Sequence, residues 1–583
     1  MSQQIETDVL IVGSGPAGAS AALALSSYGV RNIVVTKYSA LSDTPRAHIT
    51  NQRTMEVLRD LGVEPDVIAA ATPQHLMGNT VFCTSLAGEE LGRLWAWGND
   101  PYRQADHEAA SPTRMNDTPQ HLMEPILITA ATSRGTTLRF NTSFESLQQD
   151  ADGVTVTVHD RLREDDYQIR AKYVIGADGG RSAVANAVDL PMAGQMAVAG
   201  SINICFTADL SRYVAHRPSV LYWVLAPGAD VGGIGAGLVR MVRPWNEWLI
   251  VWGYDVSAGA PDLSEDYARS IARTLIGDDD IDLEITSSSA WTVNHAYATR
   301  YSAGRVFCAG DAVHRHPPSN GLGSNTSIQD SYNLAWKLKL VLDGIADPTL
   351  LDSYTAERAP IGRQVVDRAN LSIAETAPIF AALGLLSTDD PEQMRRNMAA
   401  RTEATPEAER QRRELREAIR FKDYEFNAHG VEMNQRYVSQ AVVDDGSPDP
   451  GFDRDPELFH QLSSRPGAKV PHAWLGRGTQ RLSTLDVCGH GRFTLLTGIG
   501  GEGWAPAVEE VSTATGLPID IAVIGPGRDY QDLYGTWSLV REVTDSGCLL
   551  VRPDGYVCFR HVRFDDGAAD RLNAAVHTIL AKG

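Results

Sequence analysis

Hydrophobic positions near the start of the chain form a short apolar run, Val9–Val12, that stops at Gly13. A stretch of small residues with a helical pattern follows, and a second apolar run, Asn32–Thr36, comes next. A strand, a turn, a helix and another strand in this order predict the opening of an α/β fold.

Further helices and strands follow. Apolar residues at helical spacing predict helices within residues 44–62, over Gln120–Ala131 and after Asn325. Val306–Ala309 has the composition of a buried strand. Alternating positions predict three strands that pair antiparallel, namely Leu138–Asn141, Val154–Val158 and Tyr167–Ile175.

Two regions depart from this pattern. Residues 72–112 are polar and lack a clear period, which predicts an excursion out of the first domain. Residues 202–255 are rich in strands and aromatic residues, which predict a sheet with one face available to an aromatic ligand. Aromatic residues in an ordinary sheet core are the alternative. The glycine run 232–237 is interpreted as a bend of this sheet rather than a phosphate loop.

The rest of the chain divides into two parts. Residues 352–437 are charged and helical, and the Asp-, Gly- and Pro-rich run 444–456 predicts a domain boundary. Residues 461–583 alternate strands with helices, which predicts a small α/β domain. A chain of 583 residues is too long for one core, so we expect three or four domains.

Charge and composition narrow the class of protein. The chain has 52 Lys and Arg against 73 Asp and Glu, a net charge of −21, which argues against non-specific binding to nucleic acid or anionic membranes. No apolar run reaches the roughly 18 residues of a spanning helix, and the start lacks the basic segment of a signal peptide. The six cysteines are scattered without a C-x-x-C, which indicates neither a disulfide framework nor a zinc site. We therefore expect a cytoplasmic protein without a bound metal.

The turn after the first strand carries the spacing G-x-G-x-x-G at Gly13, Gly15 and Gly18. In this context the first glycine permits the tight turn, the second lets the backbone approach a pyrophosphate, and the third lets the helix pack closely. The alternative is a strand–turn–helix joint without a ligand. A ribose-binding acid is missing at the end of the second strand, where Thr36 and Lys37 stand, so a plain NAD site is disfavoured.

Two other strand ends carry an acid beside glycine. Asp178 lies in YVIGADGGRS, and Asp311 follows Gly310 ahead of a second glycine-rich helix start, Gly321–Asn325. Such acids suit a ribose or a nucleotide, although Asp-Gly is also common at ordinary corners. A rival fingerprint at 498–503 is rejected, because Glu502 would direct a negative charge at the pyrophosphate.

Several polar residues remain open to two interpretations. Arg46, His48 and Arg53 lie before or at the start of the helix predicted within 44–62. Each could take part in function. On composition alone, however, an arginine is more often a solvated surface charge, and a histidine is more often hydrogen-bonded to a nearby backbone group. His314 and His316 are too few for a metal site, and they are structural or line a cofactor.

The opening fingerprint, the Asp178-Gly179 stretch and the Gly310-Asp311 stretch together resemble the group A flavoprotein aromatic hydroxylases. The resemblance extends over essentially the whole chain. It implies that the first motif binds the ADP part of FAD, that the second contacts FAD and a nicotinamide nucleotide, and that the third binds FAD ribose and pyrophosphate. The FAD contacts implied by position are Gly13, Gly15, Pro16, Ala17, Gly18, Lys37, Arg46, Gln120, Asp178, Asp311, Pro317, Gly321, Leu322, Gly323, Ser324 and Asn325.

The same resemblance implies the domain organisation. It predicts a Rossmann-like FAD-binding domain of the para-hydroxybenzoate hydroxylase type, an inserted β-rich substrate domain and a C-terminal thioredoxin-like domain. The predicted boundaries are 1–72, 113–190 and 296–370 for FAD binding, 73–112 and 191–295 for the substrate domain, 371–445 for a helical connector and 446–583 for the thioredoxin-like domain.

Within the family, the stretches TPRAHITNQRTMEVLRDLG, VRMVRPWNEWLIVWGYD and GDAVHRHPPSNGLGSNTSIQD resemble bacterial phenol hydroxylases. The C-terminal domain resembles their thioredoxin-like domain, which has lost its redox role. His48 departs from the pattern, since it falls where a fungal phenol hydroxylase has a catalytic aspartate.

The resemblance implies an NADPH- and O₂-dependent hydroxylation of a phenol, chlorinated or not, ortho to its hydroxyl. Flavin-dependent ring hydroxylation is electrophilic, and a phenolate is far more reactive than a phenol with its pKa of about 10. Histidine suits the task of taking the phenol proton. We therefore predict His48 and Arg46 as catalytic residues, and His48, Tyr222, Trp223, Tyr254 and Pro317 as substrate contacts.

Other functions stay open at this point. A hydroxylase or epoxidase of another aromatic or polyketide-type substrate, a non-hydroxylating flavin oxidoreductase and a non-enzymatic flavin-binding scaffold fit the same motifs. NADH could replace NADPH. A homodimer is implied by family analogy.

Overall fold

The computed structural model describes residues 5–227 and 237–582. The segment through residue 190 contains the elements β1 (Ile5–Val12), α1 (Pro16–Ser27), β2 (Asn32–Val35), β3 (Ile49–Thr50), α2 (Gln52–Asp60), α3 (Glu64–Ala70), β4 (Asn79–Cys83), β5 (Glu90–Trp95), α4 (Gln104–Ala110), β6 (Asn116–Asp117), α5 (Gln120–Ser133), β7 (Thr137–Arg139), β8 (Thr142–Gln149), β9 (Val154–Asp160), β10 (Asp165–Gly176) and α6 (Ala183–Ala187).

The middle of the chain holds long strands followed by helices. Its elements are β11 (Met192–Thr207), α7 (Ser211–Val214), β12 (Leu221–Val224), β13 (Gly237–Arg243), β14 (Glu247–Tyr254), α8 (Glu265–Ile276), β15 (Glu284–Ala298), β16 (Ser302–Ala303), β17 (Val306–Cys308), β18 (His314–Arg315), α9 (Gly323–Leu342), α10 (Asp352–Ala374), α11 (Ala377–Ala382), α12 (Pro391–Ala400), α13 (Pro406–Phe421), α14 (Asp423–Phe426) and α15 (His429–Met433).

The C-terminal segment alternates strands and helices, as predicted. Its elements are β19 (Trp474–Arg477), β20 (Gln480–Ser483), α16 (Thr484–Val487), β21 (Phe493–Gly498), α17 (Trp504–Thr515), β22 (Ile519–Ile524), β23 (Gln531–Asp532), α18 (Thr536–Val540), β24 (Cys548–Val551), β25 (Val557–His561) and α19 (Ala568–Ile579).

The first sheet has the order β16-β17-β10-β1-β2-β7, and β8 and β9 extend it from β10. Strands β17, β10, β1 and β2 run parallel, with Val12 beside both Gly176 and Val35 and with Gly176 beside Cys308. Because the carboxyl ends of parallel strands lie at one edge, this topology brings the three predicted motifs together.

One predicted pairing in this sheet is wrong. Leu138–Asn141 was expected to pair antiparallel, but β7 lies parallel to β2, with Leu138 beside Val34. Strand β9 pairs antiparallel with β10, as predicted, and also with β8, which the alternation did not reveal. Short strands of three or four residues carry too little alternation to fix their direction.

The second sheet has the order β18-β15-β11-β14-β13-β12-β4-β5. Strands β4 and β5 come from the polar excursion at residues 72–112, which therefore joins this second sheet. The interpretation of residues 232–237 as a sheet bend lies outside the described residues except for Gly237, which begins β13.

The C-terminal segment builds a four-stranded sheet in the order β22-β21-β24-β25. At the rejected fingerprint, the Glu502 carboxylate accepts a hydrogen bond from Gly500 N at 2.8 Å and pairs with Arg528 at 2.7 Å, so the turn is satisfied by its own acid. Among the described residues, no helix is both long enough and apolar enough to cross a bilayer.

Candidate flavin and substrate site

The three motif turns touch one another at the edge of the first sheet. A Cβ atom on Gly13, whose φ is +107°, would lie 2.2 Å from the carbonyl oxygen of Ala177. A Cβ atom on Gly310 would lie 3.0 Å from the Cβ of Ala17 in the first turn of α1. Glycine is thus required at both contacts, and the motifs form one continuous surface.

The N-terminus of α1 is built to receive an anion. Gly15 is its N-cap and offers no side-chain cap, so the first N–H groups of the helix lack that partner. A Cβ atom on Gly15 would meet only Glu124 Oε1, at 3.9 Å, whereas one on Gly18 would lie 1.9 Å from Gly13 O. Open space over Gly15 and close packing at Gly18 fit the pyrophosphate of FAD.

A buried carboxylate that the sequence did not predict lies at the same corner. Glu124 on α5 is 2% exposed, and it accepts hydrogen bonds from Gln120 Nε2 at 2.5 Å and Ser42 N at 2.9 Å. Burial raises the pKa of Glu124 above its usual value. The one feature of the sequence that could have indicated this residue is that it is the only acid in the apolar stretch QHLMEPILITAA. Gln120 itself, a predicted FAD contact, is engaged with this carboxylate.

The acids of the second and third motifs have different environments. The Asp178 carboxylate accepts hydrogen bonds from Ser182 Oγ at 2.5 Å and Ala183 N at 2.7 Å, so it caps α6. Asp311 is exposed at its corner. Lys37 is also exposed and lies over the ring of Tyr38, with its ammonium 5.4 Å from the centroid. These contacts leave Asp311 the freer of the two acids to meet a ligand.

The second glycine-rich turn holds the segment around His48. Asn325 Oδ1 accepts a hydrogen bond from Asn51 N at 3.0 Å, and Asn325 Nδ2 donates to Ile49 O at 2.8 Å. Of the other predicted contacts here, Leu322 and Pro317 are buried, while Gly321, Gly323 and Ser324 are half-buried. The start of α9 and the His48 segment are therefore fixed to each other.

His48 forms a largely buried pair with a carboxylate, since its side chain is 13% exposed and that of Asp117 is fully buried. Its Nδ1 atom lies 2.8 Å from Asp117 Oδ1, and Asp117 Oδ2 accepts a hydrogen bond from Thr72 Oγ1 at 2.7 Å. Burial, assisted by the nearby Arg240 charge and opposed by Asp117, lowers the pKa of His48 to about 4. At neutral pH the ring is uncharged, and the Asp117 carboxylate favours the proton on Nδ1. Nε2 is then the acceptor nitrogen of the ring.

Arg240 on β13 is a functional candidate that the sequence did not reveal. It is 2% exposed, and its Nη1 donates to the backbone oxygens of Pro45 and, at 2.7 Å, of Arg46. Its Nε and Nη2 atoms have no hydrogen-bond partner among the described residues. Burial lowers the pKa of Arg240 to about 10, so it is a cation at neutral pH, next to His48 and open to an anion. The side chain of Arg46 is exposed, so its backbone makes this contact.

The predicted aromatic substrate contacts lie on two faces of the second sheet. Trp223 shares a face with Arg240, because Leu221 is its i−2 neighbour and Leu221 is paired with Arg240. Tyr222 lies on the opposite face, where it is fully buried and donates to Arg217 O at 3.0 Å. The register puts Tyr254 on the Tyr222 face. Tyr222 and Tyr254 thus lie on the face opposite Arg240 and Trp223, since residues alternate between faces along a strand, and their role as substrate contacts stays a prediction.

Aromatic residues from three segments line the His48 side. The ring of Trp97 lies 6.3 Å from the ring of His48 and 5.4 Å from that of Phe426. Phe426 in turn lies 6.3 Å from Trp223. Trp97 comes from the excursion and Phe426 from the helical connector, so the wall could not be recognised from any one stretch.

The fold, the glycine turns and the FAD-fitting surface define a flavoprotein. Residues 6–369 match the FAD binding domain family, and residues 463–583 match the family described as aromatic-ring hydroxylase, C-terminal. The chain belongs to the FAD-dependent aromatic-ring hydroxylases.

Within this family, the chain is similar over its full length to several named enzymes. The chain is 58% identical over 577 residues to 2,4-dichlorophenol 6-monooxygenase of Delftia acidovorans, covering 99% of this chain and 98% of that one. It is 51% identical to phenol 2-monooxygenase of Pseudomonas sp. (strain EST1001), covering 95% and 90%. Among solved structures, the flavin-dependent monooxygenase PieE in complex with FAD and substrate superposes with a TM-score of 0.95 at 46% identity, covering 99% and 100%.

These matches confirm the predicted family, fold class and cofactor. The protein is an FAD-dependent aromatic monooxygenase. The roles assigned to individual residues and the domain boundaries stay predictions.

Proposed function

We propose that the protein hydroxylates a phenol, including chlorinated phenols, ortho to its hydroxyl. The substrates named for its full-length relatives support this class. Phenol, NADPH, a proton and O₂ would give a catechol, NADP⁺ and water. The observation that carries the proposal is the neutral, Asp117-oriented His48 beside the partly unpartnered cation of Arg240.

When bound, FAD accepts electrons from NADPH and supplies the oxygen chemistry. The side chains of the protein would activate the phenol ring by favouring its phenolate form. The Arg240 charge that lowers the pKa of His48 would also lower the pKa of a phenol bound beside it, because it stabilises the phenolate. His48 Nε2 then accepts the phenol proton, and Asp117 stabilises the resulting imidazolium. The aromatic wall of Trp97, Phe426 and Trp223 would exclude water from the ring.

The glycine turns and the residues around them would hold the cofactor. Gly13, Gly15 and the first turn of α1 would receive the pyrophosphate, and Asp311 and the Gly321–Asn325 turn would contact the rest of FAD. The Glu124 carboxylate beside Gly15 suits a sugar hydroxyl rather than a phosphate. NADPH as the reductant, a homodimer and a cytoplasmic location stay predictions.

Replacing Arg240 by methionine tests the electrostatic part of this proposal. His48 must be unprotonated to act, so in the wild type kcat/KM should fall only as the pH approaches about 4. Without the cation, which lowers the pKa of His48, that pKa rises, so the acid limb of the pH profile moves upward. Loss of a charge-assisted contact of about 1.5–3 kcal/mol predicts a decrease in kcat/KM at pH 7 of about tenfold to a hundredfold.

The control is Arg243→Met on the same strand, where the arginine donates to Ala70 O at 2.8 Å and is half-buried. Its pH profile should match the wild type, and Arg240→Lys should restore part of the lost activity. An unchanged acid limb in Arg240→Met would remove Arg240 from the mechanism.

A further inference from the structure

Helix α2 is held by the C-terminal domain through its charged residues. Glu56 Oε1 lies 2.8 Å from Lys469 Nζ, and Arg53 Nη2 donates to Asp554 O at 2.5 Å. Toward the other end of the helix, Arg59 pairs with Asp486 at 2.6 Å and Asp60 Oδ1 accepts from His490 N at 2.7 Å. Four charged side chains of a nine-residue helix therefore contact one domain.

The start of α2 continues directly into the predicted catalytic segment. His48 precedes β3, and β3 leads through Asn51 into the helix. The Asn51 side chain caps α2 by accepting from Thr54 N at 2.9 Å, while its backbone N–H is bound to Asn325. With only three residues between His48 and α2, a shift of the helix would displace His48 or strain the hydrogen bonds that join its segment to Asn325.

The contacts that Lys469 makes with α2 and α4 are buried. The Lys469 side chain is 1% exposed and also donates to Ala110 O at 3.1 Å, at the end of α4. Its ammonium thus links the C-terminal domain to α2 and to the polar excursion at once. Burying such an ion pair gives little net stability, but a wrong arrangement costs several kcal/mol, so it specifies position.

The same C-terminal turn that binds Arg53 also binds the flavin-side helices. Arg552 is fully buried between Glu357 of α10 and Asp554, at 2.6 Å from each. On α9, Tyr332 donates to Pro553 O at 2.9 Å and Asn333 to Asp554 Oδ2 at 3.1 Å. Residues 552–554 therefore connect α2 with α9, the helix that follows the second glycine-rich turn.

We propose that the C-terminal domain positions His48 for catalysis by fixing α2, with Lys469 as a positioning residue. The proposal rests on the proposed role of His48 in phenol hydroxylation. It gives the domain a function that needs no redox chemistry of its own.

A double-mutant cycle of Lys469→Met with His48→Ala tests the proposal in the FAD-bound full-length enzyme. Lys469→Met leaves Glu56 paired with Arg53 at 3.0 Å, so no carboxylate is stranded. We expect kcat for phenol to fall about tenfold to a hundredfold, with less of the oxidised NADPH recovered as catechol. In the His48→Ala background the same change should have no further effect, because its target is already gone.

The control variant is Arg560→Met, which breaks another largely buried pair in this part of the chain, with Asp445 at 2.6 Å, without touching α2. Its kcat and coupling should equal the wild type. If Lys469→Met does not yield folded, FAD-bound protein, Arg59→Met at the more exposed end of the same helix is used in the same cycle.

The possible outcomes distinguish a failure of the proposed function from a failure of the inference about the C-terminal domain. Wild-type enzyme that hydroxylates no phenol would overturn the proposed function and this inference with it. Wild-type turnover together with equal effects of Lys469→Met in both backgrounds, or with no effect in either, would overturn the inference alone.

Discussion

The variant His48→Ala is expected to lose about 10²–10⁴ in kcat for phenol hydroxylation while it retains FAD. The loss follows from removal of the proton acceptor at Nε2, which Asp117 orients through Nδ1 at 2.8 Å. FAD remains because the glycine turns at the edge of the first sheet are untouched. Stopped-flow or steady-state product formation, with the flavin absorbance of the purified variant, measures both quantities.

The matched control is His159→Ala. His159 has the same arrangement, with Nδ1 at 2.8 Å from Asp166, but the pair lies on the surface. That variant should be fully active. His48→Ala with wild-type turnover and an unchanged pH profile would show that another group, or water, takes the proton.

The second large effect is expected for Gly15→Ala, which should weaken FAD binding at least tenfold, or about 1.4 kcal/mol. The backbone at Gly15 has φ −66° and ψ −175°, which alanine adopts without strain. Among the described residues, the nearest atom to the new methyl group is Glu124 Oε1, at 3.9 Å, so the protein itself leaves room for it. A ligand lying over the turn would therefore be what contacts the methyl group. Fluorescence titration of the apoprotein with FAD measures the change in affinity.

Gly18→Ala provides the contrast, because its Cβ would lie 1.9 Å from Gly13 O. That variant should lose thermal stability as apoprotein, whereas Gly15→Ala should melt like the wild type. Equal FAD affinity in Gly15→Ala and wild type would mean that the pyrophosphate is not held at this turn.

Local patterns predicted the parts of the molecule that depend on neighbours in sequence. The spacing of Gly13, Gly15 and Gly18 is one turn of chain, so its strand–turn–helix context was visible in the sequence. The helix Gln120–Ser133 and the helix after Asn325 followed from their apolar spacing in the same way. Their residues form the proposed FAD side of the site.

The proposed substrate side depends on residues that are distant in sequence. His48 meets Asp117 across 69 positions, and Arg240 reaches the backbone of Arg46 across 194. In the sequence, an arginine that will be buried with unpaired donors cannot be distinguished from any other arginine on a strand. The choice between Tyr222 and Trp223 has a different difficulty, because neighbouring aromatic residues on one strand face opposite ways and composition does not tell which face meets a ligand.

The most direct test of the account is the identity of the product made in ¹⁸O₂. The purified protein, loaded with FAD, is supplied with NADPH and either phenol or 2,4-dichlorophenol, and the product is analysed by mass spectrometry. The account predicts a catechol with one ¹⁸O atom in the new ortho hydroxyl. NADPH oxidation that yields only hydrogen peroxide across a panel of phenols, or a protein that cannot be loaded with FAD, would contradict it.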